Sequence, residues 1–107
     1  SGGTATTAEI SNDQKSGTEI SVVLEMGTGD VGVSLFVLRE TGDGNFENPS
    51  VDRPWGMMLP YSADSTIRRA FTVMADRASK FKIHLINNDS SAVTATVYYK
   101  QATIEAA

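Results

Sequence analysis

The fold of this chain is decided by the stretch Lys80-Phe81-Lys82-Ile83-His84-Leu85, in which polar and apolar residues alternate without a fault. Successive side chains of a β-strand point to opposite faces, so this period of two predicts a strand with one core face and one face toward water. The predicted core face carries Phe81, Ile83 and Leu85, and the predicted wet face carries Lys80, Lys82 and His84.

The same period continues after a turn. Residues 87–91 are Asn, Asp and Ser, which favour turns because they hydrogen-bond their own main chain or accept left-handed backbone. Residues 92–99 then alternate again, with Tyr99 in the inner phase and Tyr98 in the outer phase. We predict that residues 80–86 and 92–99 form a β-hairpin.

Residues 65–75 allow two interpretations. A helix could use Asp64 or Ser65 as its N-cap and the helix-favouring Arg, Ala and Met residues that follow. The run Arg-Arg-Ala-Phe-Thr-Val-Met at 68–74 also suits a strand, and we predict the strand.

Further strands are predicted upstream. The first spans residues 19–26 and the second residues 31–38, and their inner faces carry Ile20, Val22, Leu24 and Met26, then Val31, Val33, Leu35 and Val37. Residues 41–52 are rich in turn formers and are predicted to be a long loop. Residues 55–61 alternate, but Pro60 lacks the N–H that a ladder needs, so a strand there lies at an edge or breaks at Pro60.

Together these segments predict an all-β fold, a small antiparallel β-sandwich or jelly roll of about seven or eight strands. We assign the domain to residues 18–100. Residues 1–17 are expected to be a flexible tail with an edge strand, and residues 101–107 a C-terminal tail.

Composition limits the classes of partner. The 107 residues suffice for one core. Nine basic and 13 acidic residues give a net charge of -4, and the cations are scattered, whereas a nucleic-acid surface needs them clustered. No apolar run approaches the ~20 residues of a membrane span, and the absence of cysteine excludes disulfides and thiolate metal sites. We therefore expect no nucleic-acid and no membrane partner.

A glycine motif at residues 27–32 reads G-x-G-x-x-G, and Asp52 lies twenty residues beyond it. A dinucleotide site would need a helix next, whose N-terminus holds the pyrophosphate. The next residues are Val-Ser-Leu-Phe-Val-Leu, which favour a strand. We interpret the glycines as a hairpin turn.

The sequence offers no catalytic signature. His84 is the single histidine, and no carboxylate lies near it in sequence to orient it. Asp43, Asn45 and Glu47 alternate as calcium ligands might; an EF-hand is excluded by Asn48 and Pro54, while a looser calcium site stays open. Asn88-Asp89-Ser90 is a glycosylation sequon to which we assign no role. We predict no enzyme, no cofactor and no metal.

Two sets of apolar and aromatic residues are candidate binding surfaces. Strand 31–38 is apolar on both faces, so Phe36 and Leu38 either meet a loop or belong to a contact with another subunit. For such a contact the first set comprises Phe36, Leu38, Met57 and Met58. The second could stack on sugar rings, and it comprises Trp55, Tyr61 and Tyr98.

Four segments carry a resemblance to a known class. They are Gly-Asp-Gly-Asn-Phe at 42–46, Ala-Phe-Thr-Val at 70–73, Ser-Lys-Phe-Lys-Ile-His-Leu-Ile-Asn-Asn at 79–88 and Val-Thr-Ala-Thr-Val-Tyr-Tyr at 93–99. This layout resembles β-sandwich modules of bacteriophage virion proteins, in head decoration, fibre or tail accessory roles. It also resembles the pre-peptidase C-terminal type of sandwich, although Ser79-Lys80-Phe81 replaces the Gly-Thr-Tyr-Tyr-like entry to the penultimate strand.

The first resemblance implies a non-enzymatic structural or assembly module in a virion. Its partners would be copies of itself or a neighbouring capsid or tail protein. The alternative is a carbohydrate-binding module of a secreted or cell-surface protein, with a glycan as partner.

Overall fold

Eight antiparallel strands in two facing sheets form the described part of the chain. The computed structural model describes residues 3–27, 31–60, 62, 64–89 and 92–103. The strands are β1 (Thr4–Thr6), β2 (Ile10–Ser11), β3 (Lys15–Met26), β4 (Gly32–Arg39), β5 (Gly56–Pro60), β6 (Thr66–Met74), β7 (Lys80–Asn87) and β8 (Val93–Thr103). These residues contain no helix. The predicted all-β sandwich is confirmed, as is the choice of a strand over a helix for β6.

The larger sheet has the order β1-β7-β4-β5, and β2 also pairs with β7. The smaller sheet has the order β6-β3-β8. β3 spans 12 residues and is paired along most of its length on both sides. The inner residues Ile20, Val22 and Leu24 therefore each lie between partners on β6 and on β8.

The core lies between the sheets and consists mainly of the predicted inner faces. Its fully buried apolar side chains are Ile20, Val22, Leu24, Leu35, Phe81 and Ile83. Burying one such side chain contributes about 1.5–3 kcal/mol. Val31 departs from the prediction, since it is 46% exposed and β4 begins only at Gly32.

The predicted hairpin of β7 and β8 is wrong. β7 pairs with β1, β2 and β4, whereas β8 pairs with β3 in the other sheet. The predicted hairpin at the glycine motif is also wrong, because β3 and β4 lie in different sheets; its residues 28–30 lie outside the described part. Facing sheets are about 10 Å apart and paired strands about 4.8 Å, so a connection of a few residues can span either gap. The turn-forming residues of a connection therefore do not show whether it joins two paired strands of one sheet or two strands of facing sheets.

Asp89 links the β7–β8 connection to the end of the β3–β4 connection, and both of these connections pass from one sheet to the other. Its Oδ1 accepts hydrogen bonds from the backbone N–H of Val31 at 2.6 Å and of Gly32 at 3.1 Å. Asp89 is only 2% exposed. Asp89 therefore has a structural role. Its position in a polar turn, next to the exposed Asn88, does not indicate that role.

The N-terminal residues complete the larger sheet. Within residues 1–17, interpreted above as a tail with an edge strand, β1 and β2 both lie antiparallel to β7. Thr6 lies opposite His84, and the Thr6 Oγ1 and His84 Nδ1 atoms are 2.7 Å apart. His84 is consequently 9% exposed, and its assignment to a wet face is wrong because β1 covers the edge of β7 beside it.

Candidate functional site

The predicted contact patch on the outer face of β4 is largely covered by the chain itself. Leu38 is 5% exposed and Phe36 is half-buried. The loop of residues 40–55 returns toward this face, where the Lys82 ammonium lies 4.4 Å from the centre of the Phe46 ring and Lys82 is the cross-strand partner of Leu38. Leu38 is therefore buried within the chain, as expected if the outer face of β4 meets a loop and not another subunit at this residue.

β5 places the other two predicted contact residues on opposite faces. Met57 lies opposite Leu35 and packs half-buried against the core. Met58 lies opposite Ser34 and is 52% exposed. Of the four predicted contact residues, Met58 alone presents most of its side chain to solvent.

Phe36 is half-buried because its ring lies on Gly56, its partner across the β4–β5 ladder. A Cβ atom on Gly56 would lie 2.6 Å from Phe36 Cδ1 and 2.7 Å from the Leu35 carbonyl oxygen. The absence of a side chain at Gly56 is thus what allows the aromatic ring to lie this close to β5.

Replacing Gly56 with alanine is expected to lower the free energy of unfolding by about 1–3 kcal/mol, because either the ring or β5 must move. Urea denaturation followed by circular dichroism measures the change. Gly3→Ala is the matched control, since nothing lies within 4 Å of an added Cβ there. Equal effects of the two substitutions would contradict the close packing of Phe36 on Gly56.

Trp55 lies at an opening between the two sheets. β5 begins at Gly56 and pairs with β4 no further than Phe36. Beyond that point the Val37 N–H donates to the Trp55 carbonyl oxygen at 2.9 Å. The indole rests on Phe71 of β6, with ring centres 5.7 Å apart and planes tilted by 47°, and it remains 52% exposed.

A cleft of about 530 Å³ lies beside this indole, and we name it the Trp55 cleft. Its buried apolar floor is Val37, Val73 and Ala78. Arg39 and Arg77 also line it, and Arg39 Nε lies 3.3 Å from Glu47 Oε1. That is the one salt bridge among the described residues, so Arg77 has no carboxylate partner within that part of the chain.

Sequence reasoning identified only Trp55 in this cleft. The sequence did indicate that Arg39 is unusual. It continues the inner phase of Leu35 and Val37, and a cationic side chain is rare at an inward-facing position. Phe71 is a core residue by its phase, and Arg77 comes from a turn with no distinguishing pattern. Only the packing of β6 beside the end of β4 brings these side chains together.

The three predicted stacking residues do not form one platform. Tyr98 lies opposite Ser21 on the outer face of the smaller sheet, at the edge far from β6. Trp55 lies against β6, and Tyr61 is outside the described residues. Tyr98 is 59% exposed. Tyr99 is 57% exposed although it has the inner phase, because it lies on an edge strand.

The outer edge of β8 is a feature that sequence reasoning missed. In the described part of the chain, β8 pairs only with β3 and extends over 11 residues. Its residues 93–99 contain neither charge nor proline. The lack of charge and proline in residues 93–99 could have indicated an open edge, but the predicted hairpin paired this edge of β8 with β7.

The carboxylates of the 40–48 loop accept hydrogen bonds from residues that are near them in the sequence. Asp43 Oδ1 accepts from the Thr41 hydroxyl at 2.6 Å and from the Asn45 N–H at 3.0 Å, and these bonds lower the pKa of Asp43. Glu47 Oε1 accepts from the Arg39 backbone N–H at 2.9 Å. Within residues 3–103, apart from the gaps given above, no three His, Cys, Asp or Glu side chains are grouped as metal ligands.

Comparisons of the chain with protein-family models, curated proteins and solved structures find no match. Within its described residues, the chain has no helix with the length and apolar character needed to cross a membrane.

Proposed function

We propose that this protein is a non-enzymatic structural module that assembles through protein–protein contacts, with a second copy of itself as the first partner. The observation that carries the proposal is the exposed edge of β8. The resemblance of residues 42–46 and 70–99 to virion β-sandwich modules supports a decoration, fibre or tail accessory setting.

The edges of the two sheets are protected unequally. Edge strands present unpaired N–H and C=O groups, and proteins usually protect them with charges, proline or short length. β6 carries Arg68 and Arg69, and β5 has five residues and ends at Pro60. β8 has none of these features between residues 93 and 99, so it is the edge best suited to adding a strand.

Exposed tyrosines add to the suitability of this edge. Tyr98 and Tyr99 point to opposite faces of β8 and each is more than half exposed. Tyrosine is enriched at protein interfaces because its ring is rigid and its hydroxyl stays solvated or hydrogen-bonded. An added strand would bury part of both rings.

A two-fold axis at Val97 would pair β8 with its copy in antiparallel register. In that register Thr96 lies opposite Tyr98 of the second copy, and Lys100 lies opposite Thr94. The two lysines are then not paired with each other, so no like charges face across the new ladder. The two smaller sheets would join into one sheet of six strands.

Sedimentation velocity over a range of protein concentrations tests this proposal. Wild type is expected to dimerise, and the double substitution T96K/Y98K is expected to weaken the association at least about tenfold, because it sets lysines opposite lysines. Both positions are exposed, so the fold should persist. T66K/T72K, at exposed positions of the β6 edge, controls for added charge. A wild type that stays monomeric at every concentration would refute the proposal, as would equal association of the two variants.

A further inference from the structure

The Trp55 cleft is not needed for assembly through β8, because it lies at the opposite edge of the smaller sheet. We propose that this cleft binds a saccharide that carries a carboxylate, of the uronic-acid type. The proposal retains Trp55 from the predicted stacking residues and replaces the others by side chains that the fold brings together.

The aromatic wall favours a flat ligand with one apolar face. Trp55 rests on Phe71, which fixes the orientation of the indole, and half of the indole surface stays open to solvent. The C–H face of a pyranose ring can cover such a surface while its hydroxyl groups remain in water.

The closed floor argues against a purely apolar ligand. Val37, Val73 and Ala78 are between 4% and 7% exposed, so a ligand would lie along the indole and would not enter the core. Two arginines line the same cleft, and an apolar ligand would strip water from them without replacing it. The volume of about 530 Å³ lies within the range of small-molecule sites.

Charge selects the acidic saccharide over a neutral one. The chain has a net charge of -4, yet this cleft carries two guanidinium groups. Glu47 pairs with Arg39 and neutralises part of its charge, whereas Arg77 has no such partner among the described residues. An arginine binds a carboxylate through two parallel hydrogen bonds, so Arg77 would bind the uronate group while Trp55 stacks on the ring.

Intrinsic fluorescence tests this site directly, because Trp55 is the single tryptophan of the chain. Titration of the full chain with an oligogalacturonate is expected to give a saturable change with a Kd of about 0.1–1 mM. The methyl ester of the same oligosaccharide keeps the rings and removes the charge, and it is expected to bind about tenfold more weakly.

Two substitutions localise the effect. R77Q is expected to weaken oligogalacturonate binding about tenfold. R68Q removes the same charge from an exposed position of β6 whose phase, opposite Val23, points away from the core, and it should change the Kd less than about twofold. Both positions are exposed, so thermal unfolding should confirm intact folds. The proposal is overturned if fluorescence does not change up to about 10 mM oligogalacturonate, if the ester binds as well as the acid, or if R77Q binds like wild type.

Discussion

Truncation of Phe81 to alanine is expected to lower the free energy of unfolding by about 3–5 kcal/mol. Phe81 is 0% exposed and lies on β7, where Ile10 of β2 and Arg39 of β4 are its cross-strand partners. Removing the ring loses its burial and leaves a cavity between the sheets. Domains of this size are typically stable by about 5–15 kcal/mol, so the substitution removes a large share of the total.

Urea denaturation measures this loss, and the thermal midpoint should fall by roughly 12 °C or more. V51A is the control, since it truncates an apolar side chain that is 73% exposed, and it should cost less than about 1 kcal/mol. F81L, which refills part of the space, should lie between the two. A cost for F81A as small as that of V51A would contradict the position of β7 in the core.

Replacing Asn12 with alanine is expected to cost about 2–4 kcal/mol. Asn12 is 3% exposed. Its amide donates to the carbonyl oxygens of Val73 at 3.2 Å and Ala78 at 2.9 Å, and its Oδ1 accepts from the Thr18 hydroxyl at 2.6 Å. Alanine would leave these buried groups without their partner, which is more costly than never having placed polar groups there.

The same network continues to β8, which explains why the expected cost is large. Gln101 Nε2 donates to Thr18 Oγ1 at 2.9 Å and to the Ser11 carbonyl oxygen at 2.6 Å. Asn12 and Gln101 thus join the β2–β3 turn, the end of β6, the β6–β7 turn and β8. Removing one member weakens contacts between segments of both sheets.

The substitution N12D distinguishes this hydrogen-bond role from simple filling of space. Aspartate has nearly the same shape, but its ionised form cannot donate and would face two carbonyl oxygens. Its folded pKa should therefore be raised, so the variant should be more stable at acidic pH and lose stability as pH rises through that folded pKa. Denaturation at pH 4 and pH 7 measures this, with exposed D13A as control. A pH-independent difference between N12D and wild type would exclude the donor role.

Some residues of the candidate sites could be predicted from the sequence, and others could not. Trp55 was predicted to be a candidate because it is a large aromatic residue that lies beside Arg53 and Pro54 in a loop. Arg77 was not found, because it reaches the cleft only where the β6–β7 turn lies beside the end of β4. For Leu38 the phase indicates an outer face and leaves open whether a loop or another subunit covers it, because phase contains no information about a loop that folds over that face.

Alternation along each segment determined the local structure by itself. A period of two requires a strand with one apolar face, so the inner residues of β3 and β7 follow from order in the sequence alone. Tertiary structure decided which strands became neighbours, because a short connection can join either paired strands or facing sheets and the total burial selects between them. That choice placed β8 beside β3, left its far edge without a partner strand among the described residues, and buried Asn12, Asp89 and His84. The sequence therefore specified the core locally, while the surfaces proposed here for binding arose from contacts between segments distant in sequence.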